Sequence, residues 1–208
     1  TMWWSATLDG AVAGLARRVK DPAIRGIEDR GPTVESMTHR FVQIHHRDKA
    51  AVVARIVGTE DRAIVFCRTK RGCDRLVEDL VELGVPASAI HGDLAQNQRE
   101  RALRAFGDGS RPVLVATDVA ARGIHIDEVS VVVHFNPPED HTTYLHRSGR
   151  TARAGADGLV VTLIEWDEEL VVRRIQRRLG LGDIPQVEMF SNDPRLADLA
   201  NWDPTVAA

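Results

Sequence analysis

Short runs of β-branched and apolar residues alternate with helix-periodic stretches through the middle of this chain. That alternation limits it to an α/β fold with a mainly parallel sheet covered by helices on both faces. Runs at 40–44, 63–67, 87–91, 112–116, 129–135 and 158–164 read as strands, and stretches at 48–57, 70–83, 96–107, 142–147 and 167–179 read as helices. In the second helix Cys73, Leu76, Val77, Leu80 and Leu83 fall on one face at three-and-four spacing, and Gly84 follows as a helix-ending glycine. The connections are short and turn-rich, as a compact α/β domain requires.

A chain of 208 residues has room for one full-sized domain and extensions. Residues 36–182 hold the alternating pattern. Before them, 1–27 contain one amphipathic stretch, 8–19, after the apolar opening Met2, Trp3 and Trp4, while 28–35, with Gly31 and Pro32, read as a linker. After them, 183–208 carry Pro185, Pro194 and Pro204 with little periodicity and read as an irregular extension. The chain opens at Thr1 and not at Met, which points to a piece of a longer protein. A net charge of −3 does not advertise a nucleic-acid binder, yet 27 Lys and Arg suffice for a basic face if the fold collects them. Cys67 and Cys73 lack the spacing of a zinc site or a disulfide framework, so no metal site is expected and a reducing cytoplasm is the simple reading. No apolar run approaches the roughly 20 residues that span a bilayer, and no secretory signal is visible.

The sharpest motif is the octet His146-Arg147-Ser148-Gly149-Arg150-Thr151-Ala152-Arg153, with arginines at offsets of three around Gly149. Guanidinium groups stay charged and fork onto oxygen pairs, so this pattern suits multidentate phosphate recognition; the bland reading is a solvated basic turn. The octet resembles motif VI of DEAD-box ATP-dependent RNA helicases, HRxGRxxR. The resemblance implies that Arg150 and Arg153 act as arginine fingers on the ATP γ-phosphate, and that His146 and Arg147 couple this site to a first domain.

Other segments extend the resemblance, which runs from residue 1 to about 181 and implies a RecA-like three-layer sandwich. Ala116-Thr117-Asp118-Val119-Ala120-Ala121-Arg122-Gly123-Ile124 follows a strand and resembles motif V. Thr117 is then an RNA-phosphate contact, Asp118 and Arg122 link the RNA and ATP sites, and Gly123 belongs to the same ATP-side turn; Thr117 or Asp118 also suits a helix cap. The family continues Arg-Gly-Leu-Asp, with the carboxylate on the ATP ribose. This chain has His125 there, and an imidazolium cannot accept that hydrogen bond, which implies weaker or pH-sensitive ATP binding. Ile64-Val65-Phe66-Cys67-Arg68-Thr69-Lys70 resembles motif IV, with Phe66 packing inside and Arg68 and Thr69 near the RNA backbone. His91-Gly92-Asp93 and the Gln96–Arg99 pair resemble the HGD and QxxR segments, which makes Gly92, Gln96 and Arg99 RNA contacts; an ion pair of Arg99 with Glu100 or Asp93 is the bland alternative. Ser5-Ala6-Thr7 matches motif III, the end of a first domain, so Ser5 and Thr7 are interdomain coupling residues on that reading.

No Gly-x-x-x-x-Gly-Lys-[Ser/Thr] loop and no Asp-Glu-Ala-Asp run occurs in the chain. The resemblance therefore implies a C-terminal helicase domain with half of each active site. Its partners are ATP, RNA and the first helicase domain, with magnesium held by that first domain, and the piece alone is expected to be inactive. Residues 1–19, deprived of that domain, are expected to self-associate or lie loose. Two other readings stay open from the residues: a non-catalytic RNA-binding or scaffold module, and a DNA helicase of another superfamily 2 branch.

Overall fold

The structure is a computed structural model that describes residues 37–121, 129–152 and 158–205. The readings placed on 1–27 and 28–35, including Ser5 and Thr7, and those on Arg122, Gly123, His125 and Arg153, lie outside the described residues.

Strands β1 (Met37–Gln43), β2 (Ala63–Phe66), β3 (Ala87–Ile90), β4 (Val113–Ala116), β5 (Val131–His134), β6 (Gly158–Ile164) and β7 (Gln186–Glu188) form one sheet in the order β3-β4-β2-β5-β6-β1-β7, every pair parallel. Helices α1 (Lys49–Val57), α2 (Lys70–Glu82), α3 (Gln96–Gly107), α4 (Asp118–Ala121), α5 (His141–Ser148) and α6 (Glu169–Arg178) connect them, with a 3₁₀ turn at Pro194–Ala197. The strand side chains alternate between two separate apolar clusters. Val65, Val115, Val133 and Val161 pack with Val53 of α1 and Leu76 and Leu80 of α2, whereas Ile64, Leu114, Val132 and Val160 pack with Phe106 of α3, Tyr144 of α5 and Ile175 of α6. This is the three-layer sandwich expected. The central strands are buried end to end because both faces are covered, which is why they read as apolar runs, broken only by buried His134 in β5 and Thr162 in β6.

Helix α2 ends as its sequence predicts. Gly84 takes φ +82, its N–H donates to Val81 O at 3.0 Å, and the Val85 N–H donates to Leu80 O at 2.8 Å, the paired bonds of a left-handed helix stop. Cys73, Leu76 and Leu80 are buried as the periodicity requires; Leu83, at the cap, is 51% exposed instead.

The tail is not the irregular extension its prolines suggest. Gln186–Glu188 forms β7, which pairs in parallel with β1, and Met189, Leu196 and Leu199 enter the core. Arg40 of β1 fastens the rest: its Nε donates to Leu199 O at 2.8 Å, its Nη2 to the Ala200 and Trp202 carbonyls, and its guanidinium lies over the Trp202 ring. Strand β1 also begins earlier than expected, at Met37, with Thr38 and His39 inside it, and ends at Gln43. Among the described residues no helix is long and apolar enough to cross a membrane, and both cysteines are free and buried.

Candidate functional site

Parallel strands deliver their following loops to one edge of the sheet, and in open α/β folds ligands bind at that carboxyl edge. Loops after β2, β3, β4 and β5 bring Arg68 and Thr69, Gly92, Thr117 and Asp118, and Asn136 there. Thr117 is buried, donates its N–H to Ile90 O at 3.3 Å, and accepts from Ala120 and Ala121 N–H groups at 3.1 and 3.0 Å. Those two bonds to its backbone carbonyl are the first of α4. Asp118 opens α4.

Arg147 holds the site together. It is 4% exposed, its Nε and Nη2 donate to the two Asp118 oxygens at 2.6 and 2.8 Å, its Nη1 donates to Asn136 O at 2.8 Å, and its guanidinium sits over Phe66 at 5.2 Å. Asn136 in turn accepts from the Arg68 N–H at 3.1 Å. One bidentate fork thus ties together the segments that resemble motifs IV, V and VI. Where the resemblance implies coupling to another domain, the direct partners of Arg147 lie within this one.

Removing one partner of a largely buried ion pair strands the other. Arg147→Ala is accordingly expected to cost about 3 kcal/mol, the low end because Asp118 is 30% exposed. Thermal unfolding of this chain should then fall by about 6–12 °C. Arg147→Lys should recover little of it, since an ammonium lacks the fork.

Phe66, Asp118, Ala121, Thr143, His146, Arg147 and Arg150 line a pocket of about 20 Å³, room for a water and not for a nucleotide. Arg150 leaves the last turn of α5, donating its N–H to Arg147 O at 3.3 Å while its carbonyl accepts from Val129 at 3.5 Å. The next residues are pinned. Thr151, fully buried, donates its hydroxyl to Val129 O at 2.5 Å, and Ala152 takes the uncommon φ of +56. A β-carbon at Gly158 would come within 2.6 Å of Ala152 N, so only glycine lets β6 start this close to them.

Along the other part of the edge the side chains of Arg68, Thr69, Gln96 and Arg99 each have an internal partner. Arg68 donates to Glu168 at 3.1 Å, and Glu168 is itself held by the Glu165 N–H at 3.1 Å and lies 3.8 Å from buried Lys49. Thr69 caps α2 by accepting from the Gly72 N–H at 3.0 Å. Lys70 pairs with Asp93 and holds that exposed carboxyl below its usual range. Gln96 donates to Glu100 at 2.9 Å. Arg99 pairs with neither acid weighed for it and donates to Ala120 O of α4 at 2.9 Å, joining the QxxR helix to motif V. At Gly92 neither a positive φ nor a clash demands glycine, since a β-carbon would meet Lys70 Cε at an ordinary 3.7 Å.

Sequence reasoning missed Asn136, Tyr144 and His39. Behind the site, His134 is fully buried, with Nδ1 paired to Thr162 Oγ1 at 3.1 Å, and desolvation, then the charges of Arg147 and His39, hold its pKa well below 6.5. Its neutral form is the folded one, so the stabilising effect is complete above the unfolded pKa and is lost as pH falls through and below about 6.5. Urea midpoints at pH 7.5 and 5.5 should drop more for this chain than for His134→Leu; equal drops would refute the assignment.

The family of the helicase conserved C-terminal domain matches residues 48–155. The ATP-dependent RNA helicase DbpA of Bacillus subtilis is 34% identical over 196 residues, 93% of this chain and 41% of the relative. The DEAD-box ATP-dependent RNA helicase CshA of Bacillus subtilis is 39% identical over 180 residues, 85% of this chain and 36% of the relative. The chain thus spans about two-fifths of the length of these curated relatives. Among solved structures, the E. coli DEAD-box protein SrmB bound to regulator of ribonuclease activity A shares 34% identity at a TM-score of 0.66, over 73% of this chain and 89% of that one. S. cerevisiae Dbp5 bound to RNA and ADP BeF3 shares 29% at a TM-score of 0.73, over 91% of this chain and 51% of that one. With the arginine octet, the fork between motifs V and VI and the seven-stranded parallel sheet in place, this chain belongs to the helicase conserved C-terminal domain family, as the second RecA-like domain of the DEAD-box type.

Proposed function

We propose that this domain supplies one wall of an ATP pocket and one stretch of an RNA track in an ATP-dependent RNA helicase. The observation that carries the reading is the Arg147–Asp118 fork, which seats Arg150 on the rim of a pocket at the sheet's carboxyl edge and joins it to the motif V turn. Arg150, with Arg153 beyond it, meets the charge that develops on the γ-phosphate. Arg68, Thr69, Gly92, Gln96, Arg99 and Thr117 meet phosphate and sugar, contacts that position the strand without reading bases. Closure of two domains on the strand, favoured by ATP and released by hydrolysis, then separates a duplex.

Magnesium, when bound, would neutralise phosphate charge. Asp118, the carboxylate in this pocket wall, is engaged by Arg147, so the donors for the ion belong on the first domain. His125 faces the ribose on this reading. ATP affinity of the intact helicase should fall from pH 8 to pH 6, and His125→Asp should flatten that dependence; the same dependence in both proteins would dismiss the role.

The test of the whole reading is ATP hydrolysis with and without RNA. This chain alone is expected to hydrolyse none, and the intact polypeptide is expected to hydrolyse ATP faster with RNA. RNA binding indifferent to ATP in the intact protein would favour a scaffold module, and stimulation by DNA alone would favour a DNA helicase.

A further inference from the structure

Helix α5 carries His146 and Arg147 and leads into Arg150, yet its eight residues are too few to hold a helix by themselves. Its seat on the sheet is made by Tyr144, Arg147 and Ser148, the buried side chains of that helix. Arg147 is tied to Asp118 inside the site. Tyr144 lies one turn earlier, 1% exposed, and has no access to a nucleotide. Its hydroxyl pairs with His39 Nδ1 at 2.8 Å. Its ring meets His134 edge-on at 4.8 Å and stacks beside Phe41 at 6.3 Å. Through these contacts one phenol is keyed directly to β1 and β5, and through the His134–Thr162 bond to β6.

We infer that Tyr144, fixed by His39, is a positioning residue for the arginine-bearing helix, setting its rotation and depth and so the place where Arg150 presents its guanidinium. The inference rests on the reading of Arg150 given above. The need for a polar anchor follows from the surroundings. Besides the polar groups that surround this hydroxyl (His39, Thr162 and Ser148) and His134, the floor under α5 is apolar, and apolar burial is non-directional, so a ring without its oxygen would lose the contacts that fix its direction. A buried hydrogen bond between two enclosed groups selects one geometry. Desolvation also raises the titration of the phenol above its ordinary value, so the hydroxyl keeps its proton. Precision matters at the far end, because displacing a catalytic group by about 1 Å costs on the order of 10²-fold in rate.

Tyr144→Phe in the intact helicase removes one oxygen and keeps the ring. RNA-stimulated kcat is expected to fall about tenfold, with KM for ATP and the affinity for a single-stranded RNA unchanged within about twofold. His39→Leu should match it, the double variant should be no worse than either alone, and His39→Gln, which keeps an acceptor within reach, should recover most of the rate. If Tyr144→Phe does not fold, the His39→Gln and His39→Leu pair makes the same comparison. An unchanged kcat with a lower melting temperature, or a matching loss of RNA affinity, overturns the inference. Arg150→Ala separates the two levels. If that variant turns over normally, the reading of Arg150 fails and takes this inference with it; if it is inactive while Tyr144→Phe and His39→Leu are not, only the role of Tyr144 fails.

Discussion

Arg150→Ala in the intact helicase is expected to lower RNA-stimulated ATP turnover by about 10³-fold or more, the scale on which arginine fingers act in related NTPases. The loss should fall on kcat, because the guanidinium is asked to meet charge that is small in bound ATP and large in the transition state. RNA affinity without nucleotide should be unchanged, since Arg68, Thr69 and Arg99, the groups proposed to meet RNA, belong to the β2–α2 turn and α3, whereas Arg150 follows α5. Arg150→Lys should restore little, for an ammonium cannot fork onto two oxygens. The contrast with Arg147 is informative. Both are arginines of one motif, three residues apart, and Arg147 bonds Asp118 and Asn136 inside the domain. Its loss is expected to show first in stability. A single-turnover assay beside a melting curve distinguishes the two, and turnover within tenfold of the parent for Arg150→Ala would remove the arginine-finger reading.

What was legible in the sequence depended on how local the determining physics is. Strands β2, β4, β5 and β6 could be read because each is covered on both faces, so runs of three or four consecutive apolar residues announce them. The stop of α2 could be read because a left-handed residue after the last turn nearly requires glycine, and Gly84 is there. Strand β1 was harder. Thr38 and His39 look like loop residues until Tyr144 is present to receive the second of them, 105 residues away along the chain. The site divides in the same way. The octet and the Thr117-Asp118 turn carry their identity in short spacing, and the fold brings Asp118, His146, Arg147 and Arg150 to one pocket. Asn136 and His39 matter only through partners on other elements, Arg147 and Tyr144 of α5 and the Arg68 backbone, and no spacing in the chain marks them. Arg99 shows the limit most plainly, since both weighed acids were near in sequence and the acceptor chosen was the carbonyl of Ala120.

Ending the chain after Ile184 is expected to abolish folding of the domain. The deletion takes β7 from the edge of the sheet and Met189, Leu196 and Leu199, each at most 2% exposed, from the core. Burying a side chain of that size contributes about 1.5–3 kcal/mol, so the three together approach the 5–15 kcal/mol that holds a typical domain folded. The backbone loses as well. β1 would turn the N–H and C=O groups that face β7 to solvent along Phe41, Val42 and Gln43, a template for pairing between chains. Arg40 would lose the Leu199, Ala200 and Trp202 carbonyls and the Trp202 ring it lies over. Light scattering of the shortened chain should show aggregates, and circular dichroism should show no cooperative melt. Leu196→Ala in the full chain is the graded version, expected to cost about 2–5 kcal/mol while leaving the fold intact. A shortened chain that stays monomeric and melts within a few degrees of the parent would mean that the tail is an ornament on the sheet and β1 is a sufficient edge without it.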